Sequence, residues 1–162
     1  MTIAIYPGSF DPITKGHLDV LETGSEIFDK VIIAVSHNPN KKSFLTIEER
    51  KNLIIQSITH LKNVEVDAFD GLTVDYAKRK GATVLIRGLR AVSDFEFEMQ
   101  LSQTNSTLAN NIKTVFLTTK PEYNFIASST VKEVLFNNGD ISSFVPEYVN
   151  NFLLDKYRKE AK

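Results

Sequence analysis

Three stretches of this 162-residue chain group residues that can bind an anion. The first is Tyr6-Pro7-Gly8-Ser9-Phe10-Asp11-Pro12-Ile13-Thr14-Lys15-Gly16-His17. Gly8 and Gly16 remove side chains where a ligand can approach the backbone. His17 stands at the start of a helical pattern, where free N–H groups and a positive dipole end favour an anion. An imidazole there can donate to a phosphate oxygen. The second stretch is Thr83-Val84-Leu85-Ile86-Arg87-Gly88-Leu89-Arg90, followed by Asp94-Phe95-Glu96-Phe97-Glu98. Arg87 closes an apolar strand, where an unpaired charge is costly, and strand-end placement aims its fork at a crevice. The third, Phe125-Ile126-Ala127-Ser128-Ser129-Thr130, sets hydroxyls and free N–H groups ahead of a helical Val131-Lys132-Glu133-Val134.

Each feature also has a plainer reading. His17 shares a helical face with Val20, Leu21, Gly24, Ile27 and Phe28, as a core histidine would. Arg87 fits a strand-end salt bridge, Ser128 and Ser129 fit a helix cap, and Lys41-Lys42 fits a solvated loop. His37 and His60 lack a comparable context and are read as structural. The first loop matches neither G-x-x-x-x-G-K-[ST] nor G-x-G-x-x-G.

The elements that must position these residues are short β-branched runs alternating with helical patterns. Strands are predicted at residues 2–6, 30–36, 63–69, 83–86 and 114–117. Thr46-Ile47-Glu48-Glu49 reads as a capping box, with Ile47, Ile54, Ile58 and Leu61 recurring on one face after it. Ser93-Asp94-Phe95-Glu96 reads as a second box, opening a helix to about Leu108. That helix is apolar on two sides: Val92, Phe95 and Met99 on one, Phe97, Leu101 and Leu108 on the other. Its outer side is covered either by another subunit or by the chain's own C-terminal helices. The five prolines fall in predicted loops or at a helix start. Residues 155–162 are charge-rich and read as a fraying, solvated helix end. The pattern is one α/β domain over residues 1–162: a doubly wound, five-stranded parallel sheet with helices on both faces and C-terminal helices. Ligands of such sheets bind beyond the strands' carboxyl ends.

Composition narrows the function classes. Nineteen Lys and Arg against 20 Asp and Glu give a net charge of −1, which argues against a nucleic-acid coat. No Cys is present, which excludes disulfide scaffolds and thiolate chemistry and fits a reducing, cytoplasmic setting. Apolar runs are as short as residues 31–35, so no membrane span is expected, and no signal peptide is visible.

Thr14-x-Gly16-His17 resembles the (H/T)xGH signature of the nucleotidylyltransferase superfamily. Together, the three stretches are similar in order and spacing to the bacterial phosphopantetheine adenylyltransferases, over nearly the whole chain. The resemblance implies a Rossmann-like fold, and transfer of the adenylyl group of ATP to 4′-phosphopantetheine with release of pyrophosphate. It also implies Mg²⁺ accompanying ATP, a homohexamer and CoA as a feedback ligand. By residue, it implies His17 as stabiliser of the α-phosphate in the transition state, with Lys41 and Arg90 as further catalytic groups. ATP is assigned to Ser9, Phe10, Gly16, His17, Gly88, Leu89, Arg90, Glu98, and Tyr123, Asn124, Phe125, Ile126, Ala127, Ser128 and Ser129. Glu98 would act through the ribose, or else be an ordinary surface carboxylate. The acceptor is assigned to Ser9, Lys41, Thr73 and Arg87; otherwise Thr73 is a helix N-cap. No metal-ligating residues are assigned. Ala127 departs from the family pattern, in which Ser is frequent, and removes one hydroxyl. The alternatives are a sibling enzyme acting on another phosphorylated acceptor, or a non-catalytic nucleotide-binding regulator. An aminoacyl-tRNA synthetase shares the histidine motif, but this chain is short and lacks a basic RNA-binding module.

Overall fold

The computed structural model describes residues 1–160, without the side chains of Val92, Ser93, Lys159 and Glu160. Strands β1 (Ile3–Gly8), β2 (Lys30–His37), β3 (Val64–Asp70), β4 (Val84–Leu89) and β5 (Lys113–Thr118) form one parallel sheet in the order β3-β2-β1-β4-β5. Side chains alternate between its faces. Ala4, Tyr6, Val31, Ile33, Val35 and Ile86 face α1 (Lys15–Ile27), α2 (Ile47–Ser57), α5 (Ser128–Phe136) and α6 (Glu147–Glu160). Ile5, Ile32, Ala34 and Leu85 face α3 (Thr73–Arg79) and the end of α4 (Val92–Leu108). A 3₁₀ turn, Pro121–Tyr123, follows β5.

All five strands lie where the apolar runs predict them, and each extends a residue or more beyond its predicted C-terminal end. The reason is the same in β1 and β4: the ladder continues where side chains leave the core and face a cleft, so the apolar signal stops first. Pro7 therefore lies inside β1 rather than in a loop, and Arg87 lies within β4 rather than at its end. Pro7 is tolerated because β1 and β4 part early. They pair only at Ala4↔Val84 and Ile5↔Leu85, whereas β1 follows β2 to Gly8↔Val35 and β4 follows β5 to Leu89↔Thr118. The Pro7 carbonyl faces the gap and accepts from Arg87 Nη1 at 3.2 Å. A proline leaves no N–H unpaired on that side.

Two glycines set the depth of α1 on this gap. A Cβ on Gly24 would meet Ile86 Cδ1 at 2.9 Å, and one on Gly88 would meet Val20 Cγ2 at 3.0 Å.

Other expectations need correction. The Thr46–Glu49 box forms, with bonds of 3.1 and 2.8 Å. The helix expected to open with the Ser93–Glu96 box, α4, instead starts at Val92 with Ala91 as its N-cap; the Ser93 side chain lies outside the described residues. Thr73 is the first residue of α3, whose N-cap is Leu72. Ile27 is 57% exposed at the end of α1, where the helix leaves the sheet. His37 is exposed, and His60 pairs with Glu22 at the surface (2.9 Å), so neither is a core histidine. Phe95, Phe97 and Leu108 of α4 are exposed. The C-terminal helices do not cover them, because α5 and α6 pack on the opposite face. Residues 155–160 continue α6, and residues 161–162 lie outside the described residues.

Candidate active site

The parting of β1 and β4 opens a cleft of about 380 Å³ at the carboxyl end of the sheet. This is the point at which strand order reverses, where open α/β sheets bind ligands. Thirteen of the predicted site residues line it: Ser9, Phe10, Gly16, His17, Lys41, Arg87, Gly88, Arg90, Glu98, Ile126, Ala127, Ser128 and Ser129.

His17 is built into the start of α1. Thr14 is the N-cap, and its hydroxyl accepts the His17 N–H at 3.3 Å. In return the Thr14 N–H donates to His17 Nδ1 at 3.0 Å, which completes a capping box with histidine in place of the usual Glu or Gln. A backbone N–H can only donate, so Nδ1 keeps its lone pair and the ring proton sits on Nε2. Burial, reinforced by Arg90 and Arg87, pushes the His17 pKa down to about 4. The imidazole at neutral pH is therefore an uncharged Nε2–H donor. Phe10 packs edge-on against it, with centroids 5.0 Å apart. Phe10 has φ of 47°, an uncommon conformation for a bulky residue, and folds its ring back against Gly8. A Cβ on Gly8 would lie 3.0 Å from that ring. Gly16 is different: the neighbours of an added Cβ would be Thr14 and Tyr123 at ordinary contact distances, so it is the loop at Tyr123 that approaches the helix start there.

Three of the four cations of the cleft are already paired with carboxylates. Arg87 Nε and Nη2 donate to the two oxygens of Glu98 at 2.6 and 2.7 Å. Burial pulls the Arg87 pKa down, but the hydrogen bonds and charge of Glu98 hold it above its ordinary value. Glu98 is 7% exposed, so it is not a surface carboxylate. Arg90 donates to Asp94 (3.1 Å) and to the Ile126 carbonyl (2.7 Å), which ties β4 to the loop before α5. Lys132 pairs with Asp11 at 3.1 Å. Asp11 also accepts the N–H groups of Phe44 and Leu45, and Arg50 donates to the Ser9 carbonyl. These bonds latch the segment following Lys41 to the first loop. Lys41 itself is exposed, and its ammonium has no partner among the described residues. Lys41, Arg87, Arg90 and Lys132 against Asp11, Asp94 and Glu98 leave the lining with a single net positive charge. The expectation of converging cations holds, but they meet in a nearly balanced site.

Comparisons with known proteins agree with this geometry. The cytidylyltransferase-like family matches residues 5–134. A phosphopantetheine adenylyltransferase from Carboxydothermus hydrogenoformans is 51% identical over 161 residues, covering 99% of each chain. One from Crocosphaera subtropica is 54% identical over 156 residues, covering 96% of this chain and 99% of its own. This chain belongs to the phosphopantetheine adenylyltransferase family. The nicotinic acid mononucleotide adenylyltransferase of Plasmodium falciparum shares the fold at a TM-score of 0.67 with 20% identity, covering 98% of this chain and 95% of its own.

Five residues that the family resemblance assigns to ligands do not line the cleft. Leu89 offers its carbonyl to the Thr119 N–H (3.2 Å), and Asn124 accepts from the Thr119 hydroxyl (2.7 Å); both brace the loop after β5. Tyr123 packs on the core beneath that loop. Phe125 is 64% exposed and rests edge-on against Phe144. Thr73 lies beyond β3, two strands from the gap. Ala127 is the N-cap of α5 and makes no side-chain cap, so the helix begins one turn earlier than the run of hydroxyls suggests. The Ser128 hydroxyl is turned to the Pro12 carbonyl at 2.8 Å.

Sequence reasoning passed over Asp11, Asp94 and Lys132 as cleft residues. The i,i+4 spacings Arg90–Asp94, Asp94–Glu98 and Ser128–Lys132 carried part of that signal, since such residues share a helix face. No such spacing marks Asp11, because its partners come from distant segments.

Proposed function

We propose that this chain transfers the adenylyl group of ATP to 4′-phosphopantetheine, giving dephospho-CoA and pyrophosphate. The observation that carries the reading is the neutral Nε2–H of His17, fixed by Thr14 at the strand-order reversal in one cleft with Lys41, Arg87 and Arg90 from two other segments. A phosphate oxygen of the acceptor attacks the α-phosphorus of ATP, and the bond to pyrophosphate breaks. The nucleophile is already an anion, so neither a base nor a covalent intermediate is required. The protein aligns the two phosphates and offsets charge accumulating on the α-phosphate oxygens. His17 donates to one of those oxygens, with Lys41 and Arg90 as the cations of the transition state. The ATP-contacting set is Ser9, Phe10, Gly16, His17, Gly88, Leu89, Arg90, Glu98 and residues 123–129, of which Leu89 and residues 123–125 stand outside the cleft lining. Ser9, Lys41 and Arg87 take the acceptor phosphate, and Thr73, outside the cleft, takes the pantetheine arm.

Mg²⁺ enters with ATP in this reading. Among the described residues no cluster of three or more His, Cys, Asp or Glu can hold a metal ion, and the three cleft carboxylates are engaged by Arg87, Arg90 and Lys132. The donors are then the nucleotide's own phosphates. One net positive charge on the lining is also too little for a triphosphate beside a second phosphate, which favours a cation arriving with the substrate.

Residues 1–162 act as one domain in this reading, in the cytoplasm and without nucleic-acid partners. No helix among the described residues is long and apolar enough to cross a membrane. The exposed Phe95, Phe97 and Leu108 of α4 supply apolar surface for a homohexamer, and CoA, which contains the product, is a feedback ligand for the same cleft.

The test is pyrophosphate release from ATP with a panel of acceptors: 4′-phosphopantetheine, nicotinate mononucleotide, glycerol phosphate and ethanolamine phosphate. Turnover with 4′-phosphopantetheine alone is expected. Preference for another acceptor assigns a sibling enzyme, and ATP binding without pyrophosphate exchange assigns a regulator.

A further inference from the structure

Tyr6 lies in β1 and lines the cleft, yet its hydroxyl has no part in the reaction described above. We infer that the Tyr6 hydroxyl is a binding group for the nucleotide, donating a hydrogen bond to the part of ATP that lies over Gly88. The inference rests on the function proposed above, in which Gly88 and Phe10 contact ATP.

An unanswered donor points this way first. Tyr6 is only 5% exposed, and its hydroxyl has no hydrogen-bond partner among the described residues. A buried phenol ordinarily finds one. Among the described residues, every fully enclosed side-chain N or O does have a partner. The Tyr6 oxygen is therefore not enclosed, and the space it reaches is the cleft. Gly88 keeps that path open, because a Cβ there would stand 3.8 Å from the Tyr6 oxygen and begin a side chain beside it. Burial pushes the Tyr6 pKa up and outweighs the pull of Arg87 and Arg90 toward the phenolate. The oxygen keeps its proton and can donate.

Position then selects the ligand. Successive strand residues point to opposite faces. Tyr6 belongs to the core on the α1 side, where its ring meets Phe10 edge-on at 5.2 Å and Phe10 meets His17 at 5.0 Å. Gly88 faces Val20 of α1 on that side, whereas its neighbour Arg87, assigned to the acceptor phosphate, turns to Glu98 of α4. The hydroxyl thus lies with the nucleotide contacts rather than with those of the acceptor. Ring nitrogens, ribose oxygens and phosphate oxygens of ATP can all accept from it. A nucleotide that covered the hydroxyl without accepting would leave a buried donor unpaired, at a cost in affinity.

Tyr6→Phe removes one oxygen and retains the ring that packs on Phe10. Thermal melting of the full chain with and without ATP, calorimetric ATP binding and steady-state kinetics test the inference. The free variant should melt no lower than the parent, because the hydroxyl has no partner in the protein. ATP affinity should fall about fivefold, the scale of one neutral hydrogen bond, and the rise in Tm that ATP brings should shrink with it. KM for 4′-phosphopantetheine and kcat should each stay within about twofold. Unchanged ATP affinity overturns the inference, as does a larger loss for the acceptor than for ATP. So does a free variant that melts lower than the parent, since the hydroxyl would then serve the fold. A loss confined to kcat also overturns it, because the hydroxyl would then act on the transition state. ATP binding is read without the acceptor, which keeps the two levels apart. No turnover of the parent with 4′-phosphopantetheine sinks the proposed function, whereas unchanged ATP binding in the variant sinks only the inference.

Discussion

His17 and Lys41 reach the same cleft from opposite kinds of support. His17 is locked: Thr14 caps its Nδ1 at 3.0 Å, Phe10 packs on its ring, and its helix is seated by Gly24 and Gly88. Lys41 is tethered at its base and free at its tip. Its N–H donates to the Asn38 carbonyl at 3.1 Å, Asp11 latches Phe44 and Leu45 just beyond it, and its ammonium has no partner among the described residues. A donor fixed before the reaction costs no reorganisation when charge develops, which suits the transition state. A point charge on a flexible four-carbon stem suits capture of an incoming phosphate. In the proposed reaction, the difference in support gives one cleft a donor preset for the transition state and a cation that captures the phosphate before it.

The largest effect that would break this division is on His17. His17→Ala should cut kcat by about 10²–10³ or more, the scale for losing one preorganised donor, with ATP affinity nearly unchanged. Single-turnover kinetics beside equilibrium ATP binding measures both, and comparable turnover in the variant would remove His17 from the chemistry. Next in size, Lys41→Ala should raise KM for the acceptor by about tenfold or more, with a smaller change for ATP. Equal losses for both substrates would place Lys41 at their junction instead.

The smallest effect is on pH dependence. Because His17 titrates near pH 4 in the folded chain and near 6.5 unfolded, the unfolded chain binds the extra proton between those values. His17 therefore lowers stability as pH falls from about 6.5 to about 4, and has no such effect above that window. Thermal melts of His17→Gln should decline less steeply than the parent over this range. Activity should show no inflection from His17 between about pH 6 and 8. An inflection in the parent that vanishes in the variant would mean that the imidazole works charged.

Much of this division was legible in the residue order. Strand positions and the crevice after β1 follow from periodicity, His17 and Arg87 stand out by their placement, Lys41 and Arg90 enter through the family resemblance, and all four line the cleft. What was not legible was pairing. Arg87 with Glu98 depends on how α4 lies against β4, and Asp11 with Lys132 joins residues 121 positions apart. Periodicity shows which face a side chain takes, not which neighbour from another element meets it there.

The chain by itself determined an alternating α/β pattern, two glycines small enough to bring α1 onto the sheet, and a histidine three residues after a threonine. Local geometry dictates the first and the last, because strand alternation and helix caps are set within a few residues; the glycines matter once α1 meets β4, where Gly24 faces Ile86 and Gly88 faces Val20. Only the tertiary structure decided that β1 and β4 separate after Ile5 and Leu85, that Pro7 sits in the gap, and that every cleft cation but Lys41 meets a carboxylate. Those outcomes depend on strand order and helix placement, which bring distant charges into a space where leaving one unpaired is costly.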